Sequence, residues 1–141
     1  MRITTIAAAA ALAVSAAASA EIVTVNVDGV QSWDAFGDPD NVFVELDLAA
    51  ALGLPAGSDV VIDGVGWDVT IDTFGDSWLS EAVVGLDDGD GTYDLFLNPS
   101  AGDDFAGNAS YSSGGILDLE DDLGLGDVLV SGGILTLQVY E

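Results

Sequence analysis

The fold class follows from residues 65–72, which read Val65-Gly66-Trp67-Asp68-Val69-Thr70-Ile71-Asp72. Apolar side chains alternate here with polar or small ones, which is the pattern of a β-strand with one buried face. Val65, Trp67, Val69 and Ile71 are therefore expected to point into a core. The same reasoning applied to residues 93–97 places Phe96 in that core as well.

This alternation recurs through most of the chain beyond residue 20. Clusters of Gly, Asp, Ser and Pro separate the apolar runs, a spacing typical of an antiparallel sandwich or barrel. Only residues 48–54 are suited to a helical turn, which Pro55 would end. The sequence predicts one all-β domain, an antiparallel β-sandwich of jelly-roll type with about eight or nine strands, drawn from residues 22–28, 42–48, 59–62, 65–72, 78–86, 93–97, 116–119, 128–130 and 134–140.

The charge balance excludes several classes of function. The 141 residues include 25 Asp and Glu, one basic residue (Arg2) and neither His nor Cys, for a formal net charge of −24. Such a chain has no Ser-His-Asp or Cys-His system, no Schiff-base lysine, and no zinc site with nitrogen or sulfur ligands. Nucleic acids and anionic membrane surfaces are excluded as partners, because binding them requires basic side chains.

Residues 1–20 have the layout of a secretory signal peptide. Arg2 is followed by an apolar run, and Ala18-Ser19-Ala20 supplies the small residues of a cleavage site before Glu21. Cleavage after Ala18 is the alternative. The sequence thus predicts a signal peptide at 1–20 and an acidic domain at 21–141 that is secreted or periplasmic, with no membrane span in the mature chain.

Two acidic turns are candidate calcium sites. Asp88, Asp90, Thr92 and Asp94 are spaced two apart, as in the first half of a calcium-binding loop, and calcium takes oxygen ligands of this kind. The loop pattern breaks off later, because Pro99 stands where a bidentate glutamate belongs. A solvated hairpin turn is the alternative interpretation.

The second turn is residues 37–41, in which Asp38, Asp40 and Asn41 can offer oxygen atoms. Ordinary turn chemistry at Pro39 and Asn41 is again the alternative. Carboxylates at this density repel one another, so the stability of the fold is expected to depend on cations. A uniformly acidic chain of this kind also suits a halophilic or marine source.

An enzyme is not predicted. Two carboxylates can cleave a glycosidic bond, but nothing in the sequence distinguishes one pair, and Glu45 and Glu81 would be the first to test. Trp33 and Trp78 lie beside loops and are candidates for stacking on a glycan. Together with the acidic turns, they define the alternative function, a calcium-dependent carbohydrate-binding module.

Four short motifs carry a family resemblance: Gly37-Asp38-Pro39-Asp40-Asn41, Val65-Gly66-Trp67-Asp68-Val69, Ser77-Trp78-Leu79-Ser80-Glu81-Ala82 and Tyr111-Ser112-Ser113-Gly114-Gly115. On them, the chain resembles exported bacterial β-sandwich proteins that often carry a PEP-CTERM sorting tail. The tail itself, with its Pro-Glu-Pro and apolar span, is not found here. The resemblance implies a non-catalytic role in the envelope or extracellular matrix. The first hypothesis is therefore a secreted structural or adhesive protein, with extracellular polysaccharide or other surface proteins as partners.

Overall fold

The computed structural model describes residues 9–16, 19–32 and 34–141. It is an all-β structure, and every pairing among the described strands is antiparallel. The described strands are β1 (Ala9–Ala16), β2 (Ser19–Asn26), β3 (Val42–Asp47), β4 (Val60–Gly66), β5 (Asp68–Asp72), β6 (Val83–Asp87), β7 (Tyr93–Leu97), β8 (Asn108–Ser112), β9 (Leu117–Asp118), β10 (Val128–Val130) and β11 (Ile134–Tyr140).

The strands form three sheets around one core. The first has the order β10-β4-β1-β2, with β9 also pairing with β4; the second has the order β3-β11-β6-β7; the third is the pair β5-β8. Apolar side chains from all three sheets meet in one buried cluster, in which Ile62, Ile71 and Leu137 are almost fully enclosed. Burial of this shared cluster is the main source of stability.

The predicted strands each have a counterpart, and two further strands, β1 and β8, are added. Residues 65–72 divide between β4 and β5, with the break at Trp67. Val65, Val69 and Ile71 are buried and Trp67 packs against the core, as the alternation predicted. Strand β8 was missed because its sequence, Asn-Ala-Ser-Tyr-Ser, is mostly polar, and its pairing with β5 is what makes it a strand.

The core position predicted for Phe96 is wrong, because its side chain is 50% exposed. Leu95, its neighbour, is buried instead. Because residues 95–97 are all apolar, the sequence does not decide which of them face the core. The cross-strand partner decides it: Phe96 lies opposite Gly85, which has no side chain, so the ring occupies the outer face of the second sheet.

The helical turn predicted within residues 48–54 is confirmed as α1 (Leu48–Ala51). The side chain of Asp47 accepts a hydrogen bond from the Ala50 N–H at 2.8 Å, which satisfies one of the unpaired donors at the helix start. Short 3₁₀ turns occur at Leu79–Glu81 and Ser131–Gly133. None of the helices among the described residues is long and apolar enough to cross a bilayer.

Part of the predicted signal peptide is a strand in this structure. β1 lies between β2 and β4 in the first sheet and pairs with both. The remaining predicted-leader residues, 1–8, 17 and 18, are outside the described ranges.

Two of the resemblance motifs meet where β4 gives way to β5. The Ser113 hydroxyl accepts a hydrogen bond from the Trp67 N–H at 2.8 Å and donates to the Gly115 carbonyl at 2.6 Å. A Cβ atom at Gly66 would lie only 2.5 Å from the Gly115 carbonyl oxygen. Glycine is thus required at position 66 by close backbone approach.

We predict that Gly66→Ala destabilises the fold by about 1–3 kcal/mol, because backbone must move to admit the methyl group. Gly126→Ala is the matched control: a Cβ there meets nothing within 4 Å, and the backbone does not have positive φ. The free energy of unfolding in urea should fall for the first variant only. Equal effects of the two substitutions would contradict the close approach.

Candidate functional site

The turn between β6 and β7 gathers three carboxylates. One oxygen each from Asp87, Asp88 and Asp90 lies within 4.8 Å of the others, a spacing from which they could hold a metal ion. Asp87 is buried, Asp88 half-buried and Asp90 exposed. We call these three residues the hairpin cluster.

Backbone N–H groups fix the hairpin cluster. The Asp87 Oδ1 atom accepts from Gly89 at 2.8 Å and from Gly91 at 3.2 Å. The Asp88 Oδ1 atom accepts from the Asp90 N–H at 3.1 Å, and Asp90 Oδ1 accepts from the Thr92 N–H at 2.6 Å. Each of these bonds uses one carboxylate oxygen, which leaves the second oxygen of each residue as a potential cation ligand.

Two predicted ligands have other positions in this hairpin. Asp94 accepts a hydrogen bond from the Asp88 N–H at 3.1 Å, so it braces the turn across its base. Thr92 takes part through its backbone N–H, which donates to Asp90. Burial raises the pKa of Asp94, the hydrogen bond from the Asp88 N–H lowers it in part, and the neighbouring charges of Asp88, Asp90 and Asp87 raise it. The turn is thus a site where negative charge is concentrated at a cost that a cation would offset.

The loop after Trp33 forms a second group, the loop cluster of Asp34, Asp38 and Asp40, whose carboxylate oxygens also lie within 4.8 Å of one another. The Asp38 Oδ1 atom accepts from the Asp40 N–H at 2.9 Å. Asn41, predicted as a ligand, is buried beneath the loop. Its Nδ2 atom donates to the Ala35 carbonyl at 2.9 Å and its Oδ1 atom accepts from the Ser32 hydroxyl, so Asn41 shapes the loop from inside.

The loop cluster borders an acidic cleft of about 440 Å³. Carboxylates supply most of its polar lining, which consists of Asp34, Ala35, Asp76, Ser77, Glu81 and Glu141. Glu81 is exposed and accepts from the Trp78 N–H at 2.6 Å. Glu45, the other glycosidase candidate, is an exposed residue of β3 and does not line this cleft. Neither residue lies in the apolar pocket that a carboxylic general acid requires.

An aromatic group covers the outer face of the second sheet. Phe36, from the loop cluster's own loop, contacts three rings with centroid distances of 4.7 Å to Tyr93, 5.1 Å to Tyr140 and 5.6 Å to Phe96. The three contacts are edge-to-face, the favourable arrangement for aromatic pairs. Phe36 therefore anchors the acidic loop to the sheet.

The strand register arranges this outer face in rows. One row across the sheet is Phe43, Gln138, Gly85 and Phe96, and the next is Glu45, Thr136, Asp87 and Tyr93. At Gly85, an added Cβ would lie 2.6 Å from the Tyr93 ring, so the missing side chain lets that ring lie against the sheet. Gln138 is fully buried in the centre of the first row, and neither of its amide atoms has a hydrogen-bond partner among the described residues.

The two tryptophans predicted to contact glycan differ in what the structure shows. Trp33 lies outside the described residues. Trp78 is 47% exposed and precedes the turn Leu79–Glu81, away from both carboxylate clusters in the chain. The rings that gather on one surface are instead Phe36, Tyr93, Phe96 and Tyr140.

Asp34, Asp87 and the group of rings on the outer face of the second sheet were not predicted from the sequence. Asp87 is the first acid of the run Asp87-Asp88-Gly89-Asp90, but it ends a strand and lies outside the two-residue spacing of the predicted ligands. For the group of rings, the one local indication in the sequence is Phe36, an aromatic residue between Asp34 and Asp38 in an acidic loop. No protein-family model matches the chain, and no curated protein or solved structure was found to be similar to it.

Tyr111 joins β8 to the loop that follows β7. Its hydroxyl donates to Asp103 Oδ2 at 2.6 Å. Burial, this hydrogen bond and the Asp103 charge together raise the pKa of Tyr111 to about 12. The folded state therefore holds the neutral phenol more strongly than the unfolded state, in which tyrosine ionises near pH 10.

We predict a loss of stability between about pH 10 and pH 12, because the unfolded chain ionises Tyr111 there and the folded chain does not. Tyr111→Phe should be about 1 kcal/mol less stable at neutral pH, from the lost hydrogen bond. It should also lose less stability over that alkaline range. Urea unfolding at several pH values measures both; identical alkaline slopes for the two proteins would contradict the assignment.

Proposed function

We propose that this chain is an exported, non-catalytic β-sandwich protein with a structural or adhesive role at the cell surface or in the extracellular matrix. The observation that carries the proposal is the pair of carboxylate clusters on adjoining loops, in a chain whose one basic residue is Arg2. A protein of this kind depends on cations from its surroundings. Extracellular fluids and saline water contain such cations, whereas the chain itself has no basic side chain other than Arg2.

Export is supported by the sequence of residues 1–20, and the bacterial envelope by the resemblance to exported β-sandwich proteins. The shared core of the three sheets supports a sandwich, for which we propose jelly-roll connectivity. The exposed settings of Glu45 and Glu81 support a role without catalysis.

Calcium is the cation we propose for the two clusters. Both offer carboxylate oxygens on turns, and calcium accepts six to eight oxygen ligands in flexible arrangements that water can complete. Magnesium demands a stricter octahedron and gives up its water reluctantly. The hairpin cluster is the better candidate, because buried Asp87 and the braced turn hold its carboxylates in place before any ion binds.

The export proposal predicts that the protein recovered from outside the cytoplasm begins at Glu21, or at Ser19 if cleavage follows Ala18. Intact-mass measurement identifies the first residue. Ala18→Trp should block processing, since the cleavage site takes small residues. The processed chain should also unfold at a lower temperature than this blocked chain, because β2 and β4 lose the strand between them. Recovery of an exported chain that still contains residues 9–16 would contradict export by leader removal.

The cation proposal predicts that millimolar calcium raises the unfolding temperature more than magnesium does, and more than sodium chloride at matched ionic strength. A ligand specific for the native state stabilises it by about 2.7 kcal/mol at one hundred times its Kd. Asp88→Asn and Asp90→Asn should each remove most of the calcium-specific shift, because asparagine keeps the turn-forming acceptor but not the charge.

Asp127→Asn is the matched control for this measurement. Asp127 is exposed and belongs to neither cluster, so its replacement removes the same charge and should leave the calcium shift unchanged. In dilute buffer without salt, all variants should lose stability through carboxylate repulsion. Equal shifts with calcium, magnesium and sodium would show general screening and contradict a specific calcium site.

A further inference from the structure

The outer face of the second sheet has exposed rings bordered by carboxylates. Phe43 and Phe96, at the two edges of one row, are 46% and 50% exposed, and Phe36, which packs against Phe96, is 46% exposed. Hydrophobic rings exposed in a group, rather than singly, mark surfaces that bind a partner. We call the rings of Phe36, Phe43, Phe96, Tyr93 and Tyr140 the aromatic face.

Carboxylates lie on two sides of the aromatic face. The adjacent row of the sheet brings Glu45 and Asp87 within one row spacing, about 7 Å along the strands. On the other side, Phe36 belongs to the loop that carries Asp34, Asp38 and Asp40.

This combination selects the charge of the partner. The face of an aromatic ring is the negative end of its quadrupole, so rings and carboxylates attract a cation together. A second copy of this chain is repelled, since it carries the same excess of acids. A neutral sugar would stack on the rings but leave the bordering carboxylates uncompensated.

Among cationic side chains, arginine fits the aromatic face best. Its planar guanidinium stacks on a ring and its five N–H donors match carboxylate acceptors at the same time, whereas a lysine ammonium acts as a point charge. In an extended segment, alternate side chains on one side are about 7 Å apart, which equals the spacing of the rows. Arginines at alternate positions can therefore reach the ring row and the carboxylate row together.

We propose that the aromatic face binds an arginine-bearing extended segment of another protein. The guanidinium groups stack on the exposed rings of Phe43, Phe96 and Phe36 and pair with Glu45, which belongs to neither carboxylate cluster. The inference rests on the proposed adhesive function, since it names the chemistry of the partner that the surface holds.

The test uses two fluorescent peptides, one with three arginines alternating with serine and one with lysine in place of each arginine. Binding to the purified protein is measured by anisotropy at about 0.1 M salt, where charges more than ~10 Å apart are largely screened. The arginine peptide should bind about threefold or more tighter than the lysine peptide. Phe96→Ala should weaken arginine-peptide binding about fivefold and reduce the preference for arginine.

Matched variants separate this face from general attraction to an acidic protein. Phe105→Ala removes an equally exposed ring, 56% exposed, outside the aromatic face, and Glu120→Gln removes one exposed glutamate charge as Glu45→Gln does. Only Phe96→Ala and Glu45→Gln should weaken binding beyond their controls. Because Glu45 is exposed, Glu45→Gln should keep the unfolding temperature of the parent within a few degrees. Phe96→Ala also loses ring contacts with Phe36, Tyr93 and Tyr140, so its binding is measured at a temperature at which its circular dichroism shows the same folded fraction as the parent.

Three outcomes would overturn the proposal. The first is that both peptides bind equally and every variant behaves alike, which would indicate diffuse attraction. The second is that a neutral glucan oligosaccharide binds and is lost in Phe96→Ala while the arginine peptide is unaffected, which would make the face a sugar platform. The third is that neither peptide binds. A calcium shift that remains sensitive to Asp88→Asn in any of these cases would leave the cation proposal standing.

Discussion

Carboxylates without basic partners are the constraint on which this structure depends. The only basic side chain in the sequence is Arg2, so the acids are held by other means. Backbone N–H groups serve this purpose throughout the described chain, as donors to Asp38, Asp47, Asp59, Glu81, Asp87, Asp88, Asp90, Asp94, Asp118 and Asp122. These bonds place charge on tight turns, where N–H groups that leave the sheets would otherwise need water. The acids therefore lie in the turns because the turns supply backbone N–H donors for them.

Hydrogen bonds to the backbone orient the carboxylates but do not neutralise them. At the turn between β6 and β7, Asp87 is almost fully buried, and the pKa of Asp94 is raised first by burial and then by the charges of Asp88, Asp90 and Asp87. In the loop cluster, Asn41 and Phe36 hold the loop from below while three aspartates gather above. Both loops are thus rigid supports for charge. This is the physical reason for preferring a role that depends on cations and on charged partners over one that depends on proton transfer.

The two faces of the second sheet lie in different environments. Its inner face contributes Leu86, Leu95 and Leu137 to the common core. Its outer face combines Gly85, the buried Gln138 amide and a set of partly exposed rings. The Gln138 amide is buried without a hydrogen-bond partner among the described residues, which costs free energy. The exposed rings and the bordering carboxylates on this outer face are the basis of the proposed binding of an arginine-bearing segment.

The sequence by itself determined the all-β class, the positions of most strands and the helical turn after Asp47, because period-two alternation and turn residues act locally. It also determined the excess of negative charge and the presence of acidic turns. Only the tertiary structure decided that residues 9–16 pair within the first sheet, that the polar segment Asn108–Ser112 is a strand, and that Phe96 faces outward. Only it brought Asp34 to Asp38 and Asp40, and Phe36 to Tyr140. Most of these features depend on partners in other strands. A strand without its own alternation needs a neighbour to pair with, and a ring opposite a glycine takes the face that the other strand leaves open.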